Sequence, residues 1–200
     1  MTTAQINAVL RFEPDGYDIR RPWLMGRQVA GHGFLRAAVN GRGDDAVSGY
    51  TSSQASADVF KTLVHEIDPT AEARWIKTRD LDGLSNASSV LYLADPALKT
   101  FARMRLRAGP GRYSLCGVTH TTATANTMAM IAELYTEPVA PWDALVCTSA
   151  AVLETVRLLH EQQADLLRWK LGPQVRLSLP QFPVIPLGVH CDDFAFTEED

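Results

Sequence analysis

His120 stands in the run Tyr113-Ser-Leu-Cys-Gly-Val-Thr-His-Thr-Thr-Ala-Thr124, after an uncharged apolar stretch and before a Thr-rich one. An imidazole titrates near neutrality and can hold or move a proton, or accept a ligand's hydroxyl. Tyr113, Leu115, Cys116 and Val118 read as a buried strand; Met128, Met130, Ile131 and Leu134 read as one stripe of a helix. A parallel strand that turns into a helix places the junction at the carboxyl edge of the sheet, where open α/β sheets bind ligands. The helix start adds unpaired N–H groups and a positive dipole end, which suit an anion. Thr121, Thr122 or Thr124 can cap it. His120 is therefore the leading candidate for a catalytic group.

A second candidate lies at Gly26-Arg27, ahead of Gly31 and Gly33. The spacing is not G-x-G-x-x-G, so a nicotinamide-type fingerprint is absent. Gly31 and Gly33 are expected to let a helix pack on a sheet, whereas Gly26 is placed to line a site. Ser149 follows a strand, but Cys-Thr-Ser-Ala-Ala is not a G-x-S-x-G elbow, and Ser149 reads mainly as a helix cap. His190-Cys191-Asp192-Asp193 is contiguous, a poor arrangement for surrounding one ion, so no metal site is expected. There is no P-loop lysine motif. His32 and His160 fall mid-helix and are expected to be exposed; His65 lies near a helix end.

The elements that must position these groups alternate. Ile6–Phe12 reads as a strand, followed by a long connection over Glu13–Leu24. Such a connection exceeds the ordinary βα loop of about 2–6 residues, and long loops in compact domains are often functional. A helix is expected from Gly26 to Val39, with Val29, Gly33, Phe34, Ala37 and Ala38 inward and Asn40-Gly41 closing it. Further strands are expected at Ala46–Tyr50, Ala73–Ile76, Ser89–Leu93, Ala144–Thr148 and Pro183–Leu187. Helices are expected from Ser52 or Ser53 to His65, from Asp95-Pro96 with proline in the first turn, and from Ser149 to Leu171. In the last of these Val152, Val156, Leu159, Leu166 and Leu167 form the apolar side. Repeated βα units imply a Rossmann-like, three-layer α/β sandwich with a mostly parallel sheet of six or seven strands.

The 200 residues allow one ordinary domain. A net charge of −4 gives no reason to expect nucleic acid as a partner. The basic cluster Arg103, Arg105, Arg107 and Arg112 reads as a solvated helix face. Cys116, Cys147 and Cys191 are odd in number and widely spaced, which points to a reducing, cytoplasmic setting. No apolar run reaches the length of a membrane span, and the N-terminus has no signal-peptide pattern. The acidic tail Thr197–Asp200 is expected to be disordered.

Four stretches together resemble the N-terminal half of glycosyltransferase family four, of the two-domain GT-B architecture: Leu24–Val39, Tyr113–Thr124, Pro141–Val152 and Pro183–Phe194. The resemblance covers about residues 5–196. It implies a Rossmann-like acceptor-side domain over 1–196, with 186–200 beginning the crossing to a C-terminal domain that holds the nucleotide sugar. It implies retaining transfer of a sugar from a nucleotide sugar to a sugar or lipid-like acceptor, with no cofactor and no metal. His120 would contact the transferred sugar. Gly26 and Arg27 would face the donor diphosphate, and Thr121, Thr122, Ser149 and Gly188 would line the cleft. Tyr17 and Trp23, in the segment Glu13–Trp23, would lie on the acceptor side. The family's usual double glycine is here Met25-Gly26, and the acidic residue that often follows Gly-Val is His190. Two rivals remain: a stand-alone Rossmann-like module for a phosphorylated or nucleotide ligand, and an interaction domain docking through Pro180–Leu187.

Overall fold

The computed structural model describes residues 8–20 and 22–191. Residues 6 and 7 of the expected first strand, Asp192, Asp193 and the acidic tail lie outside them. Six parallel strands form one sheet in the order β3-β2-β1-β4-β5-β6: β1 (Val9–Arg11), β2 (Val47–Thr51), β3 (Ala73–Lys77), β4 (Val90–Leu93), β5 (Ser114–Thr119) and β6 (Ala144–Cys147). This is the doubly wound α/β architecture expected of the alternating pattern. The order reverses between β1 and β4, and that switch point opens a crevice at the carboxyl edge. The segment 181–185 runs parallel beside β6 as an abbreviated seventh strand. Leu145 N donates to Gln181 O, Cys147 N to Pro183 O, and Ile185 N to Cys147 O.

Side chains alternate across the sheet, as strand geometry requires. Leu10, Phe12, Tyr92 and Val118 join α2 (Gly26–Asn40) and α3 (Gln54–Ile67) in one apolar cluster. Val9, Leu91, Leu93, Leu115 and Leu145 join the other face, under α5 (Lys99–Ala108), α6 (Ala125–Glu133) and α7 (Ala150–Leu171). Caps set the helix starts. Ser53, Thr124 and Ser149 each accept the N–H three residues on, opening α3, α6 and α7. Asp80 does the same for α4 (Leu81–Ala87), a helix that periodicity does not announce. A one-turn helix, α1 (Pro14–Tyr17), occupies the long connection after β1.

Several expectations are corrected. Asp95-Pro96 does not start α5: Asp95 Oδ1 accepts from Ala97 N in a turn, and the helix begins at Lys99. In α2 the residues facing core are Gln28, Gly31, Leu35, Ala38 and Val39, while Val29 and Ala37 are exposed. In α7 the buried line is Val156, His160 and Ala164, and Leu166 is exposed. His160 is buried between Tyr135 and Phe182, with Nε2 donating to Ile131 O at 3.0 Å. His32 is half-buried. Arg105 is no solvated cation: it is 2% exposed, and its guanidinium forks onto Asp143.

Gly31 makes α1 possible. A Cβ there would stand 2.0 Å from Gly16 O, so the helix and the α1 turn meet backbone to backbone. Gly31→Ala is expected to lower stability by about 1–3 kcal/mol through this overlap. Gly26→Ala serves as control, because a Cβ there meets nothing within 4 Å; it should be neutral or stabilising by up to about 1 kcal/mol. Thermal melts of the two variants check the contrast.

Candidate functional site

The crevice at the switch point has a volume of about 340 Å³. Its walls are the end of β1 with α1, the start of α2, and the turn after β4, including Arg11, Glu13, Arg27 and Asp95. Its charges are already paired. Arg11 Nη1 reaches Glu13 Oε1 at 2.6 Å, and Arg27 pairs with Asp15. Burial alone would raise the Glu13 carboxyl, but Arg11, Ser52 and Ser56 donate to it and hold it below the usual carboxylate range. Arg27 is exposed, and Gly26 opens α2 with no side-chain cap on the helix start. Neither internal packing nor a positive φ calls for glycine at 26. The first turn of α2 thus presents N–H groups beside a movable guanidinium, an arrangement able to receive an anion once Arg27 leaves Asp15.

His120 stands beside this crevice, bonded to Ala94 of its wall. β5 carries it to the carboxyl edge, and its Nε2 donates to Ala94 O at 3.1 Å, across from the end of β4. The carbonyl fixes the tautomer, because it can only accept. Nδ1 is buried and has no partner among the described residues. Burial lowers the imidazole pKa and Arg27 adds to that, against the opposing pull of Ala94 O and Asp95. At pH 7 the ring is neutral and offers one unsatisfied acceptor.

The other predicted positions divide. Thr121 is exposed and accepts Ala123 N, Thr122 is half-buried, and Ser149 is exposed with its oxygen on Val152 N as cap of α7. The strand and the helix around His120 are separated by five residues, with Thr124 as the cap. Tyr17 is 1% exposed and stacks on Phe12, its hydroxyl donating to Arg11 O; it holds the wall of the crevice from inside. Trp23 is 86% exposed. Gly188 lies with His120 in the wall of an apolar groove of about 450 Å³, which Gly26 does not line. His190 Nε2 donates to Gly33 O at 3.2 Å, so the His-Cys pair faces α2 and ties the segment after 185 to it. Gly33 therefore serves the groove rather than the sheet.

Sequence patterning missed this groove. Its floor is Tyr92, Cys116, Val118 and Val146, the α2-side residues of β4, β5 and β6. Its signal is the second apolar stripe of α2, Ala30, Gly33, Phe34 and Ala37, which faces the groove. No helix among the described residues is long and apolar enough to cross a membrane.

Three of the buried or half-buried histidines couple stability to pH. Burial is the leading cause that lowers the pKa of His32, His120 and His160 below 6.5. Below pH 6.5 the unfolded chain therefore takes up protons that the folded chain refuses, and stability falls as the pH drops toward the lowered values. Above 6.5 this contribution is flat. Melting temperatures from pH 7.5 to 5 are expected to decline below about 6.5. His160→Phe should flatten the slope, since Ile131 O retains Leu134 N as a donor.

No family model matches the chain, and no curated protein or solved structure matches it.

Proposed function

We propose that this chain is the acceptor-side half of a retaining glycosyltransferase that moves a sugar from a nucleotide sugar to an acceptor. The observation that carries the proposal is His120: a neutral imidazole at the carboxyl edge, anchored through Nε2 to Ala94 O in the wall of the switch-point crevice, with Nδ1 buried and without a partner among the described residues. A sugar hydroxyl donating to Nδ1 would satisfy it and orient the transferred ring. Gly26 and the open start of α2 would approach the donor diphosphate, with Arg27 moving from Asp15 to offset charge on the leaving group. Thr121 and Thr122, next to His120 in the chain, would border the same cleft. Ser149 contributes as a helix cap and Gly188 as part of the crossing segment. Trp23 stands exposed for an acceptor, and Tyr17 supports the wall. In this proposal a second Rossmann-like domain holds the nucleotide, and no metal or cofactor takes part.

Two measurements test it. Labelled nucleotide sugars incubated with the 200-residue chain should give no transfer by this domain alone; turnover would overturn the division of labour. Acceptor glycosides should shift the ring resonances of His120 in NMR titrations; a broad panel that leaves them unmoved would remove the site.

A second reading is favoured by the strand order, which is that of dinucleotide-binding folds, together with the uncapped start of α2. In it the domain binds a nucleotide or phosphorylated ligand without a second domain. Tight nucleotide binding by calorimetry would select it.

A further inference from the structure

A parallel sheet is normally covered on both faces. Here, among the described residues, α2 and α3 cover β1, β2 and β3 on one side, and the same side of β4, β5 and β6 is left as the floor of the 450 Å³ groove. We infer that this groove binds a linear aliphatic chain, and that the acceptor of the transfer proposed above is an amphiphile whose polar end reaches His120. The identity of the acceptor rests on that functional reading; the aliphatic site does not.

Three observations favour this occupant. The groove is partly roofed. Phe34 stacks on Tyr92 at 3.8 Å along one wall, and the His190–Gly33 hydrogen bond closes another. A methylene needs about as much room as a water molecule, ~30 Å³, so the groove accommodates a chain of about 15 carbons. The lining is aliphatic and aromatic, with Cys116 on the floor held as a neutral thiol by burial.

The polarity of the two ends also fits. His120 stands where groove and crevice meet: it lines the groove while its Nε2 holds Ala94 O on the crevice side. Its unpaired Nδ1 is an acceptor suited to a hydroxyl at the head of a chain. Trp23, Leu24, Met25 and Val29 are exposed apolar side chains in and just before the first turn of α2, the helix that forms one wall of the groove.

The test uses 11-(dansylamino)undecanoic acid as the fluorescent probe, displaced by straight-chain alcohols and by alkyl β-glucosides of increasing length below their micelle concentrations. Displacement is expected at one site per chain, with affinity rising about fourfold per methylene until the chain fills the groove. Gly33→Phe should weaken probe binding at least tenfold. A Cβ at Gly33 meets nothing closer than 3.7 Å, and that neighbour is the His190 ring, so the new side chain can enter the groove without backbone overlap. Ala37→Leu, on the exposed groove edge of the same helix, serves if the first variant melts early. Failure of the probe to bind, affinity independent of chain length, or equal affinity in both folded variants overturns the site. So does self-association in sedimentation that Gly33→Phe abolishes while no alcohol binds, because a second copy would then be the occupant. The alcohols carry no sugar, so they report on the groove even if sugar transfer fails. Displacement by alcohols but by no glucoside would retain the aliphatic site and reject the amphiphilic acceptor.

Discussion

Asp143→Ala is expected to cost about 3–5 kcal/mol, a large share of the roughly 5–15 kcal/mol that holds a domain together. The carboxylate is completely buried and accepts four hydrogen bonds. Arg105 Nη1 and Leu115 N reach Oδ1 at 2.5 and 2.8 Å, and Arg105 Nη2 and Ala140 N reach Oδ2 at 2.7 and 2.8 Å. Removing it strands a guanidinium that cannot shed its proton, with only Tyr113 O and Pro138 O left to it. It also orphans two backbone N–H groups. Arg105→Met should be milder, because the carboxylate left behind keeps both backbone donors. At an m-value of about 2–3 kcal/mol per molar, the Asp143→Ala midpoint in urea should fall by about 1.5 M. Equal losses in the two variants, or a loss under 1 kcal/mol for Asp143→Ala, would contradict this account. The effect also reaches the site: Leu115 N lies near the start of β5, and β5 carries His120 at its end.

Sequence patterning reads this fold best where one segment decides its own structure. The uncharged runs at β4, β5 and β6 must be buried strands, and Ser53, Thr124 and Ser149 cap the helices that follow strands. His120 is legible for the same reason, since its place depends only on where β5 ends. The strand order is not legible, because alternation of βα units is common to every doubly wound sheet. The Arg105–Asp143 pair spans 38 positions and nothing local marks either residue. His160 looks like a surface histidine until Tyr135 and Phe182, from different elements, close around it. The helix α4 is hidden by Asp, Gly, Ser and Asn, poor helix formers that a cap at Asp80 and the burial of Leu84 overcome. The inward face of α2 is not legible because the helix carries two apolar stripes, one for the sheet and one for the groove. Periodicity cannot say which stripe a sheet will take.

His120→Ala is expected to separate function from stability. The substitution removes one hydrogen bond to Ala94 O, worth about 1 kcal/mol, and also removes a buried acceptor with no partner, whose burial costs about 1–3 kcal/mol. The two effects oppose each other, so the melting temperature should change little. If a transferred sugar is oriented by Nδ1, the loss in kcat should be about a hundredfold, the range seen when one preorganised polar contact to a transition state is removed. The measurement is transfer rate in the two-domain enzyme beside a melt of each variant. His120→Gln is informative, since its amide can accept a hydroxyl while its N–H still meets Ala94 O; it should recover part of the rate. The pH profile gives an independent reading. An acceptor role needs the neutral ring, so activity should fall on the acid side only below the ordinary histidine pKa of about 6.5, where burial has moved the titration. A large stability loss with unchanged transfer would instead make His120 a packing residue. The proposed sugar site would then lose its anchor, while the aliphatic groove, which stands on Gly33, Tyr92 and Val118, would keep its own.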